Sequence, residues 1–366
     1  VEIGAGGGSI AQVDKLGRIQ VGAESAGSEP GPAAYGRGGE RPAVTDADVL
    51  LGRVVPDTFA GGAFALDAAA SRAAMEEAIG DPLGMDETAA AFGISEVVDE
   101  NMAAAARAHA AEFGLDLGSR DLIAFGGAAP LHAVRLGEKL GVRRIIVPTA
   151  AGVGSAVGFL LAPVAYEVVR SRRQTLSALN TDLVNGGMDE MRAEALAVVR
   201  MGAPGRVAAG RIAETRQAYM RYSGQGHEIP VGLPPGPYAG NHADEFRARF
   251  EDAYRRLYGR TIDGVEIEVL SWTLTVSAAR AQAPEAVREA APADAQAAAP
   301  AASQPLFDPA GGQAVPAAVW MREALAPGAR VDGPALITEA QTTTVVAPGW
   351  RATIGPHGHI LLERTP

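Results

Sequence analysis

Cysteine is absent from the 366 residues. That removes disulfide frameworks, thiolate zinc sites and cysteine nucleophiles together, and gives no sign of an oxidising compartment. A cytoplasmic location is the expectation. No apolar run approaches the ~20 residues that cross a bilayer, and the N-terminus lacks a charged stretch followed by an apolar one. The reading is therefore neither membrane-spanning nor secreted. Positive charge is in deficit, with 32 Lys and Arg against 43 Asp and Glu and a net charge of -11. Such a chain repels a phosphate backbone unless a local basic patch overrides the field, so nucleic acid is not an expected partner.

What is present looks globular. Hydrophobic residues at 47% and charged residues at 20% exclude a disordered, collagenous or coiled-coil identity for the bulk of the chain. At ~150 residues per domain, two or three domains are expected. The chain opens on Val1 rather than Met and runs straight into a glycine cluster, which suggests a processed piece or the rear part of something longer.

From Val1 to about Val55 the sequence is dense in Gly and Pro, with short apolar stretches and no helical periodicity. This reads as strands and tight turns around loops. Between Leu66 and Val169 helical and strand patterns alternate. DENMAAAARAHAAEFG and PLHAVRLGEKLG read as helices, DLIAFGG and RRIIVP as strands. The order αβαβ implies a parallel α/β sheet. AAGVGSAVGFLLAPV follows as an expected buried, glycine-interrupted helix leading into YEVVRSR. Past about Thr181 the texture is α+β, with helices at MDEMRAEALAVVRMG and ADEFRARFEDAYRRLYG and strands between and after them. The domains expected are 1–175, an α+β domain at 176–278, an Ala/Pro-rich linker at 279–304, and a small β-rich module at 305–366.

Three segments have the composition of binding loops. Four glycines stand in the five positions Gly4 to Gly8, so backbone N–H groups there can cradle a phosphate or a carboxylate without Cβ interference. No Lys follows, which excludes a Walker loop, and a structural glycine turn stays open beside the anion reading. In the second segment, Glu24 to Ala47, Arg37 is flanked by Gly36 and Gly38 and offers a planar donor fork. Asp46 offers a base or metal ligand there. A pair that merely pins the loop is the alternative. The third is AFGGAAPLHA, where Gly126 and Gly127 turn the chain from a strand into a helix opened near Pro130. Ligands of α/β sheets bind at such carboxyl ends. His132, in the first helical turn, reads as a packed or capping residue because no neighbouring carboxylate orients it. The other histidines lack metal-ligand spacing, and no GxSxG elbow, SxxK or Ser/His/Asp arrangement is legible. A nucleotide site accounts for three glycine-rich loops in one α/β framework better than any other single option.

These residues carry a resemblance. GAGGGSIA, ESAGSEPGPAAYGRGGERPAVTDADVLLGR, NMAAAARAHAAEFG, the run from LIAFGGAAPLHA to GSAVGFLLA, and GPALITEAQTTTVVAPGW resemble the hydantoinase A and 5-oxoprolinase family. The resemblance covers nearly the whole chain apart from the Ala/Pro stretch. It departs from the family pattern at Ala34, often Cys, and at Ala129, usually Gly. It implies part of a sugar kinase/actin-like ATPase fold, ATP with Mg2+, and phosphorylation of the carbonyl oxygen of a hydantoin, 5-oxoproline or lactam to drive ring-opening hydrolysis. It also implies a hydantoinase B-like partner subunit and a preceding region with DxGGT phosphate loops, which holds most metal ligands. Carried onto this sequence, Gly126, Gly127 and Ala128 lie near the adenosine, and Gly6, Gly7 and Gly8 near the phosphates or the substrate. Arg37 and Asp46 are the candidate catalytic side chains. A subunit of an ATP-dependent acetone or acetophenone carboxylase, acting on a ketone, and a non-catalytic scaffold fragment remain the alternatives.

Overall fold

The computed structural model describes residues 3–278 and 299–365. They form two units, residues 3–160 with 299–365 and residues 161–278.

The first unit opens with the antiparallel hairpin of β1 (Ser9–Val13) and β2 (Ile19–Ser25). The Asp14 carboxylate closes its turn by accepting the N–H groups of Leu16 at 2.8 Å and Arg18 at 3.0 Å. Ala11 and Val21 on this hairpin are buried with Val44 and Ala47 of a short helix, Val44–Leu50, and with Ala90, Ile94 and Val98 of a long one, Glu87–Glu112. Those last three recur at helical spacing, so one face of the long helix meets the core. The Val44–Leu50 helix departs from the expectation that the first 55 residues hold no helix. At seven residues it is too short for periodicity to register.

Strands β3 (Leu122–Ile123) and β4 (Arg144–Val147) pair in parallel, Leu122 opposite Ile145, and the helix Ala129–Leu140 connects them. The expected βαβ crossover is therefore present. Gly141, left-handed at φ 71°, ends the helix. The next apolar stretch is a correction. Its helix, Gly154–Leu161, has no buried residue, and Phe159 is 84% exposed. A nearly all-apolar octamer, with Ser155 as its one polar side chain, gives no period from which to read the buried side.

The second unit is an antiparallel sheet backed by helices, made of β5 (Val164–Thr175), β6 (Ile212–Tyr222), β7 (Ile229–Gly232) and β8 (Ile267–Ala278) in the order β5-β8-β6-β7. Met188 and Met191 of the Thr181–Gly202 helix and Phe246 and Phe250 of the His242–Tyr258 helix share its core with Trp272 and Leu274. Because β5 pairs with β8 from Val164 to Thr175, this unit begins earlier than the expected boundary at residue 175.

The chain then returns to the first unit. Strands β9 (Ala302–Asp308), β10 (Gln313–Met321), β12 (Ala335–Thr338) and β13 (Thr343–Val346) form one sheet in the order β13-β12-β10-β9. Strands β11 (Arg330–Asp332), β14 (Trp350–Ile354) and β15 (Ile360–Arg364) join β4 and β3 in another, ordered β11-β14-β15-β4-β3. The expected separate module at 305–366 is thus a completing half of the βαβ sheet. Two short parallel strands cannot bury both faces alone, and β15 against β4, with Trp350 packed beside Ile145, supplies the cover. Of the expected linker, residues 279–298 lie outside the described residues, while Ala302–Gln304 pair with β10. No described helix is long and apolar enough to cross a membrane.

Candidate functional site

Two of the three glycine segments meet in the first unit. In the first, Gly7 is held from behind: its carbonyl accepts the Thr45 N–H at 2.8 Å and the Thr45 hydroxyl at 2.9 Å. The Gly6 N–H donates to Ser9 Oγ at 3.0 Å. The Gly7 and Gly8 N–H groups find no acceptor among the described residues. In the second, β3 runs out at Gly126, whose φ of 124° excludes most side chains and whose N–H donates to the Ala151 carbonyl at 2.8 Å. The N–H groups of Gly127 and Ala128 have no acceptor among the described residues, and the helix that follows has no side-chain cap. A Cβ placed on Gly7 would lie 3.8 Å from the Ala128 Cβ. On Gly6 it would meet nothing within 4 Å. Four unclaimed N–H groups stand on these two turns, two of them at the positive end of a 12-residue helix, and the turns approach each other at Gly7 and Ala128. Backbone donors in that arrangement bind anions.

Beside Gly127 opens a cavity of about 360 Å³ walled by Val54, Phe59 and Leu131, with Glu339 and Thr342 from the C-terminal strands. The Thr342 hydroxyl donates to the Gly127 carbonyl at 2.8 Å and fixes that loop. Burial pushes the Glu339 carboxyl above the usual range, against the lowering effect of Arg322. Sequence reasoning did not single out Glu339 or Thr342. They lie more than 200 residues from Gly127, and the only signal was their place in the TEAQTTT run.

Asp46 and Arg37, the candidate catalytic side chains, are held in different ways. Asp46 is wholly buried. Its oxygens accept N–H from Ala33 at 3.2 Å, Ala34 at 2.7 Å and Ala43 at 2.8 Å, and the Ser71 hydroxyl at 2.7 Å. With four donors on two oxygens and no exposed surface, it serves the loop as an internal clamp, not as the base or metal ligand expected. Its contribution to the site is indirect, since Thr45, its neighbour, pins Gly7. Arg37 is exposed on the loop, 4.9 Å over the Phe64 ring and 6.0 Å from the Tyr35 ring, with a long contact to the Ser28 carbonyl at 3.4 Å. Its guanidinium keeps most of its donors free.

Behind the Ala129–Leu140 helix lies a cluster in which His132 is packed as expected, but with carboxylates that orient it. His132 is 4% exposed. Its Nδ1 stands 2.8 Å from Asp99 Oδ1 and its Nε2 3.2 Å from Asp48 Oδ2, so both nitrogens face carboxylates and both carry protons. Burial works against the charged ring, but the two carboxylates override it and raise its pKa to about 9. Arg53 pairs with Asp48 at 3.0 Å and approaches the same Nδ1 at 3.4 Å. Burial alone would raise Asp48; His132 and Arg53 instead hold its pKa below the ordinary value. Two carboxylates, one imidazolium and one guanidinium sum to zero, which is what a dry interior tolerates. The cluster ties the Val44–Leu50 helix, the Glu87–Glu112 helix and the helix behind Gly127 into one frame.

Comparison with known proteins agrees with this architecture. A family model described as hydantoinase/oxoprolinase matches residues 1–168, and one described as the hydantoinase/oxoprolinase C-terminal domain matches residues 180–364. The caprolactamase subunit alpha of Pseudomonas jessenii is 32% identical over 97% of this chain and 51% of its own length. The crystal structure of the ATP-dependent caprolactamase from the same organism is 31% identical and superposes with a TM-score of 0.74 over 99% of this chain and 52% of that one. A nucleotide-free acetone carboxylase, from work on ATP-dependent acetone carboxylation, is 26% identical with a TM-score of 0.78, over the same shares of the two chains. The chain thus spans about half the length of the relatives it matches.

Proposed function

Because the chain belongs to the hydantoinase/oxoprolinase family, we propose that it is part of an ATP-dependent enzyme that phosphorylates a carbonyl oxygen of a cyclic amide and so drives ring-opening hydrolysis. The observation that carries this reading is the pair of glycine turns meeting at Gly7 and Ala128, with four N–H groups left for an anion. The βαβ unit with its glycine turn at the carboxyl end of β3 supports a sugar kinase/actin-like nucleotide domain. ATP, when bound, supplies the phosphoryl group that turns an inert amide oxygen into a leaving group.

This chain's residues do the holding. Gly6, Gly7 and Gly8 bind phosphate or substrate oxygens through the main chain. Gly126, Gly127 and Ala128 bind the adenosine side, next to the cavity of Val54, Phe59 and Leu131. Thr45 and Thr342 fix the two turns by their hydrogen bonds to Gly7 and Gly127. Arg37 adds exposed positive charge. Asp46 acts as a positioning residue for the loop that carries both Arg37 and Thr45. Mg2+ belongs to the same reading. No cluster of three or more His, Asp or Glu suited to a metal occurs among the described residues, so we assign most of its ligands to another part of the assembly, with a hydantoinase B-like subunit as partner and the cytoplasm as its compartment.

A second reading has its own support, since the acetone carboxylase superposes with a TM-score of 0.78. In it the same crevice serves phosphoryl transfer to a ketone enol and to bicarbonate. Phosphate release by the complete enzyme with its partner subunit separates the two. The leading reading expects ATP turnover that depends on a lactam, hydantoin or 5-oxoproline. Turnover that needs bicarbonate with acetone or acetophenone establishes the second and refutes the first. Acceptor-independent turnover, or none with either set, refutes both.

A further inference from the structure

The second unit holds a cavity that no part of the proposed reaction uses. It measures about 370 Å³ and lies between the face of β5 and the first half of the Thr181–Gly202 helix. Sheet faces under a helix are normally apolar, and on β5 Val168 is buried. Beyond it, exposed Arg170 and Arg172 and half-buried Gln174 line the cavity. Pairing with β8 slips between Ser171 and Gln174, which re-aims the end of the strand. Opposite them the helix carries Gly186 and Gly187, where an added Cβ would meet nothing within 4 Å. Adjacent glycines inside a helix weaken it, and here no close packing demands them; what they do is keep the cavity open.

The polar groups in this cavity are incompletely used. Asn180 N–H donates to Gln174 Oε1 at 2.8 Å, which fixes the amide orientation. Gln174 Nε2 is consequently turned the other way, buried and without a hydrogen-bond partner among the described residues. A buried amide donor left in that state carries a desolvation penalty that a bound acceptor would relieve. Arg170 is paired with Glu194. Among the described residues Arg172 makes no ion pair, and neither do Asp182 or Glu190 on the helix side of the same cavity. One wall therefore presents unclaimed donors with positive charge, and the facing wall unclaimed carboxylates.

We propose that this cavity is a binding site for a small amino acid, its carboxylate taken by Arg172 and Gln174 Nε2 and its ammonium by Asp182 and Glu190. The pairing follows from complementarity: an anion alone leaves the helix carboxylates unmatched, and a cation alone leaves Gln174 and Arg172 unmatched. Ring opening of a cyclic amide releases a molecule of this chemistry, a carboxylate and an ammonium on one chain. That the site senses product rests on the proposed function; that it binds a zwitterion does not.

Titration calorimetry on the full chain tests the site without ATP, acceptor or partner, so failure of the catalytic reading leaves the result untouched. The probes are 6-aminohexanoate and glutamate, with hexanoate and hexylamine as single-charge controls. At least one zwitterion is expected to bind, and at least about tenfold more tightly than either control. Arg172→Met and Gln174→Leu should each weaken binding by about tenfold or more. Gly187→Leu should abolish it while raising the melting temperature, since Leu is the better helix former and fills the cavity. Equal binding of hexanoate and the zwitterions, no binding of any probe, or undiminished binding by Gly187→Leu overturns the proposal.

Discussion

The buried charge cluster behind the Gly127 loop makes a prediction whose sign and size both follow from its geometry. His132 is enclosed by Asp99 and Asp48, and its pKa rises from 6.5 to about 9. A group whose folded pKa lies above its unfolded value contributes stability that is complete below the unfolded value and disappears as pH climbs through the folded one. Between pH 6.5 and 9 the folded protein therefore holds a proton that the unfolded chain has released. At ~1.4 kcal/mol per pH unit, the whole displacement is worth about 3 kcal/mol. Urea denaturation of the full chain at closely spaced pH values reads this directly. The wild type should lose about 3 kcal/mol across the window, less whatever other groups contribute. His132→Gln, which cannot bind the proton, should be less stable at pH 6.5 by a similar amount or more, because two buried carboxylates then share one guanidinium. Its curve should be flat relative to wild type through the window, and the two should converge toward pH 9.5. Parallel curves for the two proteins would show that His132 is neutral when folded and would refute the charge assignment.

Other substitutions separate support from chemistry. Asp46→Ala removes the acceptor of three buried N–H groups and should cost about 3 kcal/mol or more by denaturation; a change below ~1 kcal/mol would mean that the loop holds itself. Gly6→Ala introduces a methyl with no protein neighbour within 4 Å, so its melting temperature should match wild type while ATP affinity of the complete enzyme falls about tenfold or more. Gly7→Ala, whose methyl would stand 2.8 Å from Thr45 Oγ1, should lose both. For Glu339, burial raises the carboxyl, so the folded state resists ionisation that the unfolded chain undergoes freely. That group costs stability above the ordinary Glu range and nothing below it, and Glu339→Gln should therefore raise the melting temperature at pH 7 but not at pH 4.

The parts of this molecule that sequence reasoning reached are those whose information is local. The glycine turns at Gly6–Gly8 and Gly126–Gly127 announce themselves because only glycine permits bare backbone there. The βαβ unit is legible because Pro130 opens and Gly141 ends its helix, Ala129–Leu140, between two apolar strands. The helix at Thr181 was read as starting only at Met188, because Gly186 and Gly187 look like breakers when nothing shows that they face a cavity. The C-terminal strands looked like an independent module for a related reason: β15 pairs with β4 across more than 200 residues, and no spacing rule reaches that far.

Side-chain roles were harder still, because the same residue types serve opposite ends. Asp46 and Asp48 are two residues apart on one short helix and both are buried. One is consumed by backbone N–H groups and the other by an imidazolium and a guanidinium. Sequence favours Asp46 as the chemical one because glycines and an arginine surround it, whereas the charge partners of Asp48 stand at residues 53 and 132. The cue that was available lay in the long helix, where Ser95 and Asp99 occupy the buried stripe at a spacing of four beside Ile94 and Val98. A carboxylate on the inward face of an amphipathic helix must find a cation in the core or abandon its charge. Among the described residues Arg53 and His132 are buried cations, and it is His132 that meets Asp99 at 2.8 Å and links it to the frame that holds the glycine turn.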